Sequence, residues 1–231
     1  MSQTTPNLEH GPVQPEHAPT GHIGTWSKIV RLFTERGFAY RLVRRRAYDV
    51  RTRLGMAAPI ATEDRRVLEQ IIFAHYNQEP RIKNVLFVGC ASYTAHYQHR
   101  YFAEHNYWTI DPDPTRRRFG AHQHVVARLE DLGCYFPCGS FDLIICNGVY
   151  GWGLNSVQDC DAAMSQCHAC LAKTGHLLIG WNDLPEQDPA PLSDVRSLSE
   201  FSKFSFPAFG SWKYLTNTPN RHTFYFYQKL K

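Results

Sequence analysis

Residues 83–114 read KNVLFVGCASYTAHYQHRYFAEHNYWTIDPDP, and this stretch constrains the fold more than any other in the chain. Val85, Leu86, Phe87 and Val88 form a continuous apolar run, the pattern of a strand buried on both faces of a parallel sheet. The run stops at Gly89 and a turn of small residues. A segment with helical character follows, and a second apolar run ends on Asp111, 22 positions past the glycine. Strand, tight turn, helix, strand and then an acid is the arrangement by which α/β folds hold a ribose and the groups attached to it. The glycine lets backbone approach a ligand closely, and the carboxylate accepts hydrogen bonds from ribose hydroxyls.

The same alternation continues downstream. The spacing predicts strands over 85–88, 108–111, 124–126, 141–146 and 176–181, with helices over 95–105 and 157–171. A further helix is expected before the first strand. It has Thr62 as N-cap, Glu63 and Asp64 at its positive end, and a buried stripe of Val67, Leu68, Ile71, Ile72 and Ala74 running to about Tyr76. Residues 212–216 and 222–228 are two β-like runs around a polar turn containing Pro219, which reads as an antiparallel hairpin. The fold class is therefore α/β, with a mostly parallel sheet, helices on both faces and a C-terminal hairpin closing the sheet.

With 231 residues, the chain has room for one such domain with a full core, plus extensions. No apolar run reaches the length of about 18 residues that spans a membrane, and the N-terminus lacks the pattern of a secretory signal, so a cytoplasmic protein is expected. Seven cysteines, an odd number, with Cys90 and Cys146 in or beside apolar strands, agree with reduced, packed thiols. Cys134 with Cys138 and Cys167 with Cys170 are close pairs, but a spacing of three inside a helix marks one buried face. No metal is expected from them, nor from the twelve histidines.

Charge is distributed unevenly. Residues 27–55 carry nine basic side chains against Glu35 and Asp49, whereas residues 56–231 carry 16 basic and 17 acidic side chains. Residues 1–25 are polar and rich in proline and are expected to be a disordered tail. Residues 26–57 are expected to form a basic amphipathic helical arm interrupted at Gly37, and 58–231 the α/β domain. Such an arm over residues 26–54 either lies on an anionic membrane, here the inner face, or packs as a solvated arm on its own domain; composition leaves both open. The near-neutral body argues against nucleic acid as a partner. Nothing in the sequence reports the oligomeric state.

Residues 83–228 resemble the class I S-adenosylmethionine-dependent methyltransferases, with a Rossmann-like sheet of seven strands. NVLFVGCAS is similar to the family's first glycine motif and WTIDPDP to its second strand with the ribose-binding acid. SFDLIICNGVY is similar to its fourth-strand motif, and CLAKTGHLLIGWND to its fifth. The resemblance implies S-adenosyl-L-methionine as cofactor, held by Gly89, Cys90, Ala91, Ser92, Tyr93, Asp111, Pro112 and Asp113. Arg128, Leu129, Asn147 and Gly148 complete that set. Where the family often presents an acid to the adenine amine, this chain has Ala127, Arg128 and Leu129, with Glu130 and Asp131 beyond, so backbone or Glu130 would make that contact, or the contact is missing. Ser92 or Thr94 would meet the cofactor carboxylate.

The chain also departs from the family pattern. Phe87 stands where an acid usually precedes the first glycine, and Ala91 and Tyr93 stand at the second and third glycines. Tyrosine does not take a positive φ cheaply, so the turn must have another shape or Tyr93 must face the ligand. The implied activity is methyl transfer to a small-molecule, lipid-linked or sugar-linked acceptor. Asn147 and Asp183, at the carboxyl ends of the fourth and fifth strands, are candidates to orient the acceptor or take its proton. The alternative is a non-catalytic methyltransferase-like binding protein that acts through its basic arm. A nicotinamide-dependent oxidoreductase is disfavoured by the missing Gly-x-Gly-x-x-Gly and by the hairpin.

Overall fold

A computed structural model describes residues 62–184 and 191–230. The expected tail over 1–25 and basic arm over 26–57 lie outside the described residues.

The first helix, α1, covers residues 63–78, with the middle turns Val67–Ile72 wound as π-helix. Glu63 and Asp64 lie at its positive end as expected. Thr62 is the N-cap residue, but its side chain makes no capping bond; only its carbonyl accepts, from the Arg66 amide at 3.0 Å. Val67, Leu68, Ile72, Phe73 and Tyr76 are the buried stripe.

The strands are β1 (Asn84–Val88), β2 (Asn106–Ile110), β3 (Gln123–Val125), β4 (Phe141–Asn147), β5 (Leu171–Asn182), β6 (Phe201–Lys203), β7 (Lys213–Leu215) and β8 (His222–Lys229). They form one sheet in the order β3-β2-β1-β4-β5-β8-β6, and β7 also pairs with β8. β1 to β5 are parallel, and β8 runs antiparallel to β5. The chain winds outward from β1 to β3, returns, and winds the other way through β4 and β5. Val88, the last residue of β1, is in register with Ile110 on one side and Cys146 on the other. Gly89 thus leaves the sheet at the point where strand order reverses, where α/β sheets bind ligands.

The sheet has eight strands rather than seven because its last edge is shared. β6 pairs with one half of β8 (Lys203 opposite Tyr227) and β7 with the other (Lys213 opposite Tyr225). Residues 205–211 leave the edge between them. This excursion carries Pro207, which has no amide to donate to a ladder, and it buries Phe206 flat on Phe226 with ring centroids 4.4 Å apart. The segment RSLSEFSK has no two-residue alternation to announce β6.

The helix expected over 95–105 is shorter. A 3-10 turn, Ser92–Thr94, leads into α2 (Tyr97–Tyr101). Phe102 leaves helical geometry at φ −128° and stacks on Tyr107 of β2 with centroids 5.2 Å apart. The last helix, α3 (Val157–Cys170), is capped by Ser156, whose hydroxyl accepts from the Asp159 amide at 3.0 Å. Cys160, Cys167 and Cys170 lie on its buried face, and all seven cysteines are free thiols.

Alternate residues of each strand serve opposite faces. Val85, Phe87, Leu143, Ile145, Phe224 and Phe226 pack with α1 and α2. Leu86, Val88, Ile144, Cys146, Leu177 and Ile179 pack with α3.

Candidate functional site

The turn after β1 is built from backbone. Gly89 has φ +81°, and its amide donates to the Ile110 carbonyl at 2.8 Å. A Cβ at this position would lie 3.1 Å from Val149 Cγ2, so the glycine also makes room for the loop after β4. The Cys90 side chain is buried; burial, with help from the Asp111 charge, pushes its thiol up to about 12. Only the Cys90 backbone takes part in the site. Its amide donates to Asp111 Oδ2 at 2.6 Å, and its carbonyl accepts from Arg116 at 2.7 Å.

The glycine substitutions are absorbed by a change of turn. Ala91 is extended at φ −147°, and Ser92 and Tyr93 start the 3-10 turn with no positive φ at either residue. Thr94 Oγ1 accepts the Ala91 amide at 3.0 Å and donates to the Ala91 carbonyl at 2.9 Å. Thr94 therefore locks the turn rather than facing a ligand.

Asp111 is 5% exposed and follows directly on β2. Its second oxygen accepts the Asp113 amide at 2.9 Å. A carboxylate offers about four acceptor positions, so two remain for a ligand's hydroxyls. The Asp113 carboxylate is occupied elsewhere. It caps the 3-10 helix Pro114–Phe119, accepting from the Thr115 amide at 2.9 Å and the Thr115 hydroxyl at 2.7 Å.

Beside Gly89 and Pro112 lies a cavity of about 210 Å³ with walls of Val88, Ile110, Leu129, Val149 and Leu154. Small-molecule sites commonly hold about 300–1,000 Å³, so this cavity fits one apolar ring system of a larger ligand rather than the whole. Glu130 and Arg128 stand at its edge. The Arg128 Nε is 3.0 Å from Glu130 Oε1, and its guanidinium is 3.5 Å from Asp159, so its charge is directed along the surface.

On the other side of Gly89, three polar side chains meet where β4, β5 and β8 come together. Asn147 Oδ1 lies 3.0 Å from His222 Nε2, and His222 Nδ1 lies 2.8 Å from Asn182 Oδ1. Burial lowers the His222 imidazole to about 4; Asp64 opposes this and Arg65 adds to it. A neutral imidazole has one donor and one acceptor nitrogen, so one of the two asparagines turns its NH₂ toward the ring. Gly180 is what lets them meet: a Cβ there would lie 2.0 Å from Asn147 Oδ1 and 3.0 Å from His222 Nε2. Gly148, at φ +72°, donates its amide to the Gly180 carbonyl at 2.7 Å.

Arg65 of α1 completes this side. Its guanidinium lies 4.0 Å over the Tyr93 ring and donates to the Tyr97 hydroxyl. Tyr97 and Tyr101 in turn donate to the buried carboxylate of Glu69 at 3.2 and 2.8 Å. A fixed cation thus stands over the turn residue that replaces a glycine.

The structure gathers Gly89, the Cys90 backbone, Tyr93, Asp111, Pro112, Leu129, Asn147 and Gly148 around one rim. It occupies the Asp113 carboxylate with Thr115 and keeps Arg128 at the cavity edge, its guanidinium paired with Glu130 and Asp159. Asp183 pairs with Lys213 at 3.3 Å and faces a different groove. Arg65, Val149 and His222 also belong to the rim, and nothing in the sequence points to Arg65 or His222. Arg65 reads as an ordinary basic residue near a helix start, and His222 as the opening of a β run.

Residues 86–179 match the family model described as a methyltransferase domain. No curated protein sequence matches the chain. Among solved structures, the N-methyltransferase NodS from Bradyrhizobium japonicum WM9 is similar at 14% identity and TM-score 0.54, covering 73% of this chain and 97% of NodS. Its complex with S-adenosyl-L-homocysteine is similar at 16% identity and TM-score 0.50, covering 80% and 98%. The 1,6-didemethyltoxoflavin-N1-methyltransferase from Burkholderia thailandensis, solved with 1,6-didemethyltoxoflavin and S-adenosylhomocysteine bound, is similar at 15% identity and TM-score 0.52, covering 94% of each chain. Residues 86–179 thus carry the match to a methyltransferase domain, and the sheet with its reversal of strand order at Gly89 has the fold of these methyltransferase neighbours.

Proposed function

We propose that the protein methylates a small-molecule acceptor, and that its divergent first motif still binds the family's cofactor. The observation that carries this reading is the buried Asp111 carboxylate, which has acceptor capacity to spare beside an apolar cavity and a glycine at positive φ. When bound, S-adenosylmethionine supplies an electrophilic methyl group on a sulfonium. Asp111 would hold the ribose, the cavity walls would hold the adenine, and Arg65 over Tyr93 would meet the amino-acid carboxylate. Asn147, oriented by His222, would align the acceptor for in-line attack. Positioning and exclusion of water are the protein's main contributions to such a transfer. A small acceptor is supported by the near-neutral body and by the heteroaromatic compound bound in the Burkholderia neighbour.

Calorimetric titration with S-adenosylhomocysteine tests the reading. The expected result is one site per chain, with binding abolished in Asp111→Ala. Absence of heat with the wild-type protein up to millimolar ligand would overturn it.

A further inference from the structure

A second groove, of about 960 Å³, opens beside the end of β5 on the face opposite His222. Its floor is aromatic. Trp181, Tyr225 and Tyr227 project from β5 and β8, and Trp212 lies 5.4 Å from Tyr225 and 6.0 Å from Tyr227, centroid to centroid. Such rings offer flat, stiff surfaces on which another planar ring can stack. Trp181 is 5% exposed, and its indole N–H has no hydrogen-bond partner among the described residues. A buried indole donor normally finds an acceptor, and this one lies in the wall of an open groove.

The described lining of the groove carries more positive than negative charge. Among the described residues that line it, Arg196, Lys203 and Lys213 are cationic and Asp183 is the one carboxylate. Lys213 is paired with Asp183 at 3.3 Å. Lys203 lies 4.1 Å over the Trp212 ring and has no ion-pair partner among the described residues. The volume lies within the range of about 300–1,000 Å³ of small-molecule sites.

We propose that this groove binds a planar aromatic anion, its ring on the Trp181–Trp212–Tyr225 surface, its charge toward Lys203 and Arg196, and an acceptor atom on the Trp181 N–H. The proposal goes beyond methyl transfer and does not depend on it. The probes are 2-naphthoate and its neutral counterpart 2-naphthamide, titrated calorimetrically into the full chain. The expected result is one naphthoate site per chain, with naphthamide about tenfold weaker because the charge-assisted contact is lost. Lys203→Met and Trp181→Phe should each weaken naphthoate severalfold while S-adenosylhomocysteine binds both variants as it binds the wild type. Equal affinity for the two probes, no naphthoate binding, or unchanged naphthoate binding in both variants would overturn the proposal. Because S-adenosylhomocysteine is titrated into the same samples, loss of the groove and loss of the cofactor site are read separately.

Discussion

Asp111 Oδ2 lies 2.6 Å from the backbone nitrogen of Cys90, and this contact ties the acid after β2 to the turn after β1. With Asp113 donating to the other oxygen, one carboxylate fixes two loops at once. Asp111→Asn tests this, because an amide has a single acceptor oxygen and must turn its NH₂ against one of the two backbone donors. An unsatisfied buried donor costs about 1–3 kcal/mol. In a chain of this size each kcal/mol corresponds to about 2–4 °C in melting temperature. The expected outcome is a lower melting temperature by thermal unfolding and at least about tenfold weaker S-adenosylhomocysteine binding. An unchanged melting point would mean that the contact does not organise the turn.

Arg65 makes a separable prediction. Its guanidinium is held by the Tyr97 hydroxyl and the Tyr93 face, a setting suited to a carboxylate. Arg65→Gln should weaken S-adenosylhomocysteine by about tenfold or more, the worth of one charge-assisted pair. Binding of 5′-methylthioadenosine, which lacks the amino-acid part, should stay the same. Equal losses for both ligands would assign Arg65 a purely structural role.

The sheet was largely legible in the sequence because buried parallel strands are written as continuous apolar runs, and five of them punctuated by glycine and acid leave few alternatives. Gly89 and Asp111 were legible for the same reason: each sits at a strand end where the pattern breaks. The split edge was not legible, since β6 and β7 are three residues each and their pairing depends on where Phe206 is buried. Nor was the polar side of the rim. Arg65 and His222 lie 157 positions apart in sequence; His222 reaches Asn147 through the order β4-β5-β8, and Arg65 reaches Tyr93 because α1 packs against the turn and helix after β1. Tyr93 looked incompatible with a glycine turn because the sequence does not show Thr94 closing a 3-10 turn on Ala91.

Gly180→Ala tests the Asn147–His222 contact without touching either side chain. The added methyl would sit 2.0 Å from Asn147 Oδ1, so the amide must move. Overpacking of this kind costs about 1–3 kcal/mol, within what a folded domain tolerates. The expected variant is folded by circular dichroism and binds S-adenosylhomocysteine nearly as the wild type does. Its methyl transfer to any acceptor found for the enzyme should fall through kcat. If kcat is retained, Asn147 has no part in aligning the acceptor.

His176 and His222 predict how stability depends on pH. Burial lowers both imidazoles to about 4; Arg81 and His75 add to the effect at His176 and Glu79 opposes it. At His176 the geometry agrees, because Nε2 faces the Gln228 amide nitrogen at 3.1 Å and must accept from it, so protonation would set two donors against each other. In the unfolded chain histidine titrates near about 6.5. Between about pH 6.5 and about pH 4 the unfolded state therefore binds more protons than the folded state, and stability falls as pH falls through that window. Above it both imidazoles are neutral in both states and their contribution is complete; below it no further loss arises from them. Each histidine adds a slope of up to about 1.4 kcal/mol per pH unit. Urea unfolding of wild type and His176→Gln at about pH 7, 6 and 5 reads this slope. The variant should start less stable at neutral pH and lose less per unit on acidification. Parallel lines for the two proteins would mean that His176 is not held neutral in the fold.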